Sequence, residues 1–171
     1  MAKTIRCTID PDSLSQAIKE IEDYKRDLEE KTRRLREAIG ERIGGYASWM
    51  FNTSVVDDAL GAPRYASVQV EVDEQEQVTV VMASGPDAVF VEFGAGVYHN
   101  TSVGSSPHPE GERLGFTIGS YGKGNGAKKL WGYWDGDELV LTHGTPAAMP
   151  MYTAMKMVCS HIDEIAREVF A

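Results

Sequence analysis

The stretch Asp87–His99, DAVFVEFGAGVYH, decides how the chain is divided. Its first half is apolar, with Ala88, Val89, Phe90 and Val91 running into Glu92 and Phe93. Gly94 and Gly96 follow, and glycine is where a backbone turns most freely. Beyond them, Val97–Lys129 has little apolar periodicity and is dense in Gly, Ser and Pro. A stretch of that length without periodicity inside a domain is a working loop or a disordered one. Val89–Gly96 is therefore the junction between a scaffold and the part it presents. Ala88–Phe93 itself reads as a strand or a short helix, two forms that periodicity does not separate at this length.

Upstream of the junction, Arg64–Asp73 and Gln77–Ser84 read as two strands. Ala66, Val68, Val70 and Val72 alternate with Tyr65, Ser67, Gln69 and Glu71, and Val78, Val80 and Met82 form the apolar line of the second arm. Asp73–Glu76, DEQE, is the turn, so the pair is a hairpin with one buried face. Asn52–Pro63 is a connector.

Further upstream the period changes from two to seven. Leu14, Ile21, Leu28 and Leu35 recur at heptad spacing, with Ile18, Lys25, Thr32 and Ile39 interleaved. Acids and bases crowd the flanks at i,i+4, as on a solvated helix surface. Asp10-Pro11-Asp12-Ser13 supplies a cap and a first-turn proline. This predicts a long helical segment over 11–51. Gly40, Gly44 and Gly45 each cost a helix about 1 kcal/mol relative to Ala, so a kink or break is expected there. The half around Ile43–Met50 is expected on the core and the N-terminal half outward, with Leu14, Ile21, Leu28 and Leu35 as subunit contacts. Thr4–Ile9 reads as a short strand.

Downstream of the loop, Leu130–Trp134 and Glu138–Thr142 read as a hairpin around Asp135-Gly136-Asp137 (segment 130–142), with Trp131, Tyr133 and Trp134 on its first arm. A helix follows over 148–170, striped by Tyr152, Met155, Val158, Ile162, Ile165 and Val169. The sequence as a whole predicts one α+β domain over 1–171. Its expected architecture is an antiparallel sheet with a long N-terminal helix and a C-terminal helix packed on it, and a long Gly-rich loop over 97–129.

Composition narrows the functions. The net charge is −9, with 17 Lys and Arg against 26 Asp and Glu, which does not suit gripping phosphates over the whole surface. No apolar run approaches membrane-spanning length, and the N-terminus has no apolar h-region. Cys7 and Cys159 stand at opposite ends of the chain and read as two buried or half-buried thiols in a reducing compartment. The chain is expected to be made in a cytoplasm.

The searched-for chemistry is sparse. The glycine run Gly119–Gly126 lacks the GxxxxGK[ST] spacing of a phosphate loop. His99, His108, His143 and His161 have neither HxxxH nor HxH spacing, so no metal or other cofactor is expected. Ser105 and Ser106 do not sit in a GxSxG elbow. Two alternatives remain open: a small hydrolase using Glu92, His143 and Asp135, and a nucleic-acid-binding module using Lys123, Lys128 and Lys129 beside aromatic residues. Glu92 follows an apolar segment, and a carboxylate there needs a partner if buried. An ion pair or backbone-amide contact, giving it a placing role, is the expectation.

Two segments together carry a resemblance: Phe90–Gly96, FVEFGAG, and Gly144–Ala154, GTPAAMPMYTA. The chain resembles the tail-completion, or head–tail joining, proteins of tailed bacteriophages. That family has a V-E-F-G signature, a variable glycine-rich loop, and a P-A-x-P-hydrophobic entry into the last helix. The chain departs from it in the long aromatic hairpin Leu130–Thr142 and in carrying Met149 and Met151 after the P-A segment. The resemblance implies a non-enzymatic virion protein of the phage neck and a homo-oligomeric, commonly hexameric ring assembled in the bacterial cytoplasm. Its implied partners are neighbouring neck, head-connector and tail-tube or tail-terminator proteins, with phage DNA passing through the lumen without sequence-specific contact and no membrane involved. Glu92, Phe93, Gly94, Gly96, Tyr98, Tyr121, Trp131 and Trp134 are the further expected contact residues. Deleting Val103–Lys128 is expected to leave a folded subunit that no longer joins tails to heads.

Overall fold

One helix, α1, spans Pro11–Thr53 without interruption. The structure is a computed structural model and describes residues 4–57, 63–95, 108–111, 113–115, 130–142 and 144–171. Asp10 starts α1 by accepting the Ser13 amide at 2.9 Å, and Pro11 occupies the first turn. The Thr8 hydroxyl first, and then the Ser13 amide, hold the Asp10 carboxyl below its ordinary pKa. Thr4–Ile9 is irregular, correcting the expected strand.

Of the kink or break expected at the glycines, the break is absent, and packing explains why. A Cβ on Gly40 would lie 2.4 Å from Thr79 Cγ2, and one on Gly44 would lie 2.6 Å from Val72 Cγ2. The glycines let the sheet approach the helix, and that contact offsets their propensity cost. Gly40, Gly44, Ala47 and Phe51 are buried on this side. Between Leu14 and Leu28, by contrast, the large apolar residues of α1 are exposed. The expected division of the helix into an outer and a core half holds.

Among the described residues the strands come as three two-stranded antiparallel ladders, where one sheet was expected. Strands β1 (Val55–Asp57) and β2 (Pro63–Tyr65) pair Val56 with Arg64. Strands β3 (Gln69–Glu74) and β4 (Thr79–Ser84) pair Val72 with Val81. The expected strand over Arg64–Asp73 is thus two strands, split at Ala66–Val68. In β3 the inward residues are Val70 and Val72, as expected. In β4 the alternation is reversed: Thr79, Val81 and Ala83 are partly covered, while Val78, Val80 and Met82 are exposed. The turn spans Gln75–Val78, two residues later than DEQE, closed by the Gln75 amide donating to the Val78 carbonyl at 2.9 Å. Val81 and Ala83 stand opposite Val72 and Val70 in the register, so they share the inward face.

Ala88–Phe93 is a short helix, α2, and not a strand. Strands β5 (Trp131–Asp135) and β6 (Glu138–Thr142) form the expected hairpin, with Gly136 at φ 60° in its turn. The C-terminal helix is two: α3 (Pro150–Ser160) and α4 (Ile162–Phe170), separated at His161. Both pack on α1. Ala154, Val158 and Ile165 are buried there, whereas Met155 and Ile162 of the expected stripe are exposed. Cys7 and Cys159 are exposed, contrary to the expectation of covered thiols. No helix among the described residues is long and apolar enough to cross a membrane.

Candidate functional site

The site is built where α2 ends. Asp87, at its start, is 6% exposed and anchors the segment. The Arg64 guanidinium grips it with two bonds, Nη1 to Oδ2 at 2.6 Å and Nη2 to Oδ1 at 3.0 Å, and the Ser67 amide donates to Oδ2 at 2.7 Å. Burial pushes the Asp87 carboxyl up, but the Arg64 bonds and the Ser67 amide outweigh it and hold the pKa below the ordinary value. This clamp ties the β2–β3 connection to the head of α2.

One turn on, Val91 is 1% exposed and fills the core with Phe51, Val56 and Ala66. Its carbonyl accepts the Ala148 amide at 2.8 Å. Glu92, the next residue, is also buried, and its carboxylate faces the first turn of α3. Oε2 accepts the Met151 amide at 2.8 Å, and Oε1 accepts the Tyr152 amide at 3.0 Å. These are first-turn N–H groups that α3 itself cannot satisfy, and the negative charge suits the positive end of the helix dipole. The residue at the cap position does not cap the helix: Met149 sits there in the left-handed conformation, φ 53° and ψ 48°, with no side-chain cap bond. A carboxylate 59 and 60 residues upstream does the capping instead.

His108 completes the arrangement. Its Nε2 lies 3.1 Å from Glu92 Oε1, and its Nδ1 accepts the Glu110 amide at 3.0 Å. With Nδ1 engaged as acceptor, the neutral ring carries its proton on Nε2 and donates it to the carboxylate. Phe93 and Tyr152 flank the imidazole, with centroids at 4.5 Å and 5.1 Å. Glu92 therefore holds three donors from two distant segments, as a buried carboxylate must. An apolar cleft of about 560 Å³ opens beside it, between α1, β4 and α3.

Gly94 and Ala95 finish the unit. Gly94 has φ 79°, and a Cβ there would lie 3.1 Å from the Ala147 amide nitrogen. Ala95 and Thr145 exchange two backbone bonds, at 2.9 Å and 2.8 Å. The two segments that carried the resemblance are thus one hydrogen-bonded body.

Of the expected contact residues, Leu14, Ile21, Leu28 and Trp134 are exposed and Leu35 and Phe93 are partly covered. Glu92 is buried and engaged within the chain. Gly96, Tyr98, Tyr121 and His143 lie outside the described residues, as do the Gly119–Gly126 run, Lys123, Lys128 and Lys129. The side chains of Trp131 and Asp135 are outside them too. His108 is the residue that sequence reasoning left in the loop. The signal available was its flanking prolines, Pro107 and Pro109, which fix the backbone around a single imidazole. Among the described residues no cluster of three or more His, Cys, Asp or Glu could hold a metal ion. No protein-family model, curated protein or solved structure matches the chain.

Proposed function

We propose that the chain is a structural protein of the neck of a tailed bacteriophage, one subunit of a ring that joins or completes the tail at the head–tail interface and lets DNA pass. The observation that carries this reading is the unit centred on Glu92. The V-E-F-G segment and the P-A-x-P entry into α3 are the two motifs of the resemblance. They are joined here by the Glu92 cap, the Val91–Ala148 bond and the Ala95–Thr145 pair. A family signature that marks two distant segments has a physical reason if those segments form one rigid seat for a loop between them. The exposed apolar line at the outer end of α1 supplies surface for neighbours in a ring. The net charge of −9 suits a channel past which DNA phosphate slides.

The test is genetic and structural together. Particles produced without the chain are expected to accumulate as DNA-filled heads and separate tails. Particles carrying a tagged chain are expected to show the tag at the head–tail junction by electron microscopy. Normal joined particles without the chain, or a tag found elsewhere, would overturn the reading.

A further inference from the structure

The heptad line of α1 does not stop at Leu35. It continues through Arg42 to Trp49, on the side of the helix away from β3 and β4. Its two ends have opposite shapes. Toward the N-terminus, Leu14, Ile18, Ile21, Tyr24 and Leu28 are 42–57% exposed and make a convex ridge. Toward the C-terminus, α3 lies alongside and leaves a groove of about 550 Å³ lined by Arg42, Gly45, Tyr46, Trp49, Met50 and Met157.

Gly45 is the informative residue. Gly40 and Gly44 are required by Thr79 and Val72, but a Cβ on Gly45 would meet nothing within 4 Å. A glycine inside a long helix weakens it, and here no contact among the described residues needs the gap. Beside it Trp49 is 64% exposed, and Trp, Tyr, Met and Arg are the residue types that interface centres favour.

We propose that this groove receives the Leu14–Leu28 ridge of a second copy of the chain, with the Gly45 notch admitting its closest approach. The inference deepens the ring reading above and rests on it. Ile21 and Trp49 stand about 42 Å apart along one rod, so neither surface can cover the other within one molecule. Charge favours the match: from Asp10 to Lys31 the ridge segment carries eight acids against four bases, with Asp23, Asp27 and Glu29 paired to Arg26, Lys31 and Lys25 along the helix. Arg42 borders the groove with its side chain 40% exposed and paired with the 62% exposed Glu168. A ridge-into-groove contact is heterologous, so it adds copies head to tail until a ring closes.

Sedimentation velocity on the full chain and two variants tests this. Leu28→Glu damages the ridge and Trp49→Glu the groove, both at exposed positions. Wild type is expected to form assemblies larger than a dimer. Each variant alone is expected to be monomeric, with helicity unchanged by circular dichroism. Their equimolar mixture is expected to give a dimer and nothing larger, because one intact ridge and one intact groove remain per pair. A mixture that stays monomeric overturns the proposal, as does a wild type that never self-associates. Gly45→Leu sets its Cβ in open space among the described residues, so it should melt no lower than wild type yet associate about tenfold more weakly or worse. Unchanged association by that variant overturns the notch. None of these readouts involves a phage particle. A chain that assembles this way but is absent from the neck keeps the contact and loses the ring's proposed location, and a chain found in the neck without this contact does the reverse.

Discussion

Glu92 Oε1 and His108 Nε2 meet at 3.1 Å, with both side chains less than a tenth exposed. The pair joins three pieces of chain: the end of α2, the segment that returns at His108, and the first turn of α3. Each oxygen of the carboxylate is already spent on a backbone amide of α3, so the histidine adds to a cap that exists without it.

That hierarchy predicts unequal costs. Glu92→Gln keeps the shape but turns a donor toward donors, and is expected to cost about 3 kcal/mol in urea unfolding. His108→Ala is expected to cost about 1–3 kcal/mol. The double variant should show a coupling of about 1–3 kcal/mol. A coupling indistinguishable from zero would mean the pair is adjacency without interaction.

The ring proton has a stated place. Nitrogen-15 spectra of the imidazole are expected to show Nδ1 bare and Nε2 protonated, because the Glu110 amide points at Nδ1. The opposite tautomer would contradict the geometry. The same contact revises an expectation about the loop. Deleting Val103–Lys128 also removes His108, so that variant should lose about as much stability as His108→Ala, while a deletion confined to 116–128 should not.

Asp87 gives the fold an acid-side weakness. Its carboxyl is held below the ordinary value, so its contribution is fully present above the unfolded pKa near 4 and is lost as pH falls through the lower folded value. Wild type should therefore lose stability in that acidic window more steeply than Asp87→Asn, which is expected to be weaker at neutral pH by about 1–3 kcal/mol. Parallel pH profiles for the two proteins would refute the Arg64 clamp.

The three glycines of α1 should separate on substitution by alanine. Gly40→Ala and Gly44→Ala force methyl groups against Thr79 and Val72 and are expected to destabilise by about 1–3 kcal/mol. Gly45→Ala has open space and is expected to stabilise the monomer by about 0.5–1 kcal/mol. Thermal melts of the three variants decide this, and a loss at Gly45 equal to that at Gly44 would be inconsistent with the packing.

The fold was legible where a pattern repeats. The heptad line from Leu14 and the alternation of Val70 and Val72 announced α1 and β3, because burying a face imposes a period on the residues that face it. Continuity at Gly40 and Gly44 was not legible, since helix propensity counts their cost and knows nothing of Val72 or Thr79 across the gap. The inward face of β4 does not follow its more apolar line, Val78, Val80 and Met82, because the register sets Val81 and Ala83 opposite the inward Val72 and Val70. At the site, a partner for Glu92 could be foreseen from its apolar surroundings. Which partner could not, since the amides of Met151 and Tyr152 carry no sequence mark and a lone His108 has no spacing to betray it.

Apart from Ala17, the buried residues of α1 stand toward one end: Gly40, Gly44, Ala47 and Phe51. Leu14 lies about 39 Å beyond Gly40 along the same rod. The helix is a cantilever, and its anchor is a lever arm's fulcrum. A rotation of roughly 5° at the anchor carries the tip about 3 Å, the scale of a side-chain contact. Where the far end of the subunit comes to rest is thus decided by the size of two hydrogen atoms beside Val72 and Thr79.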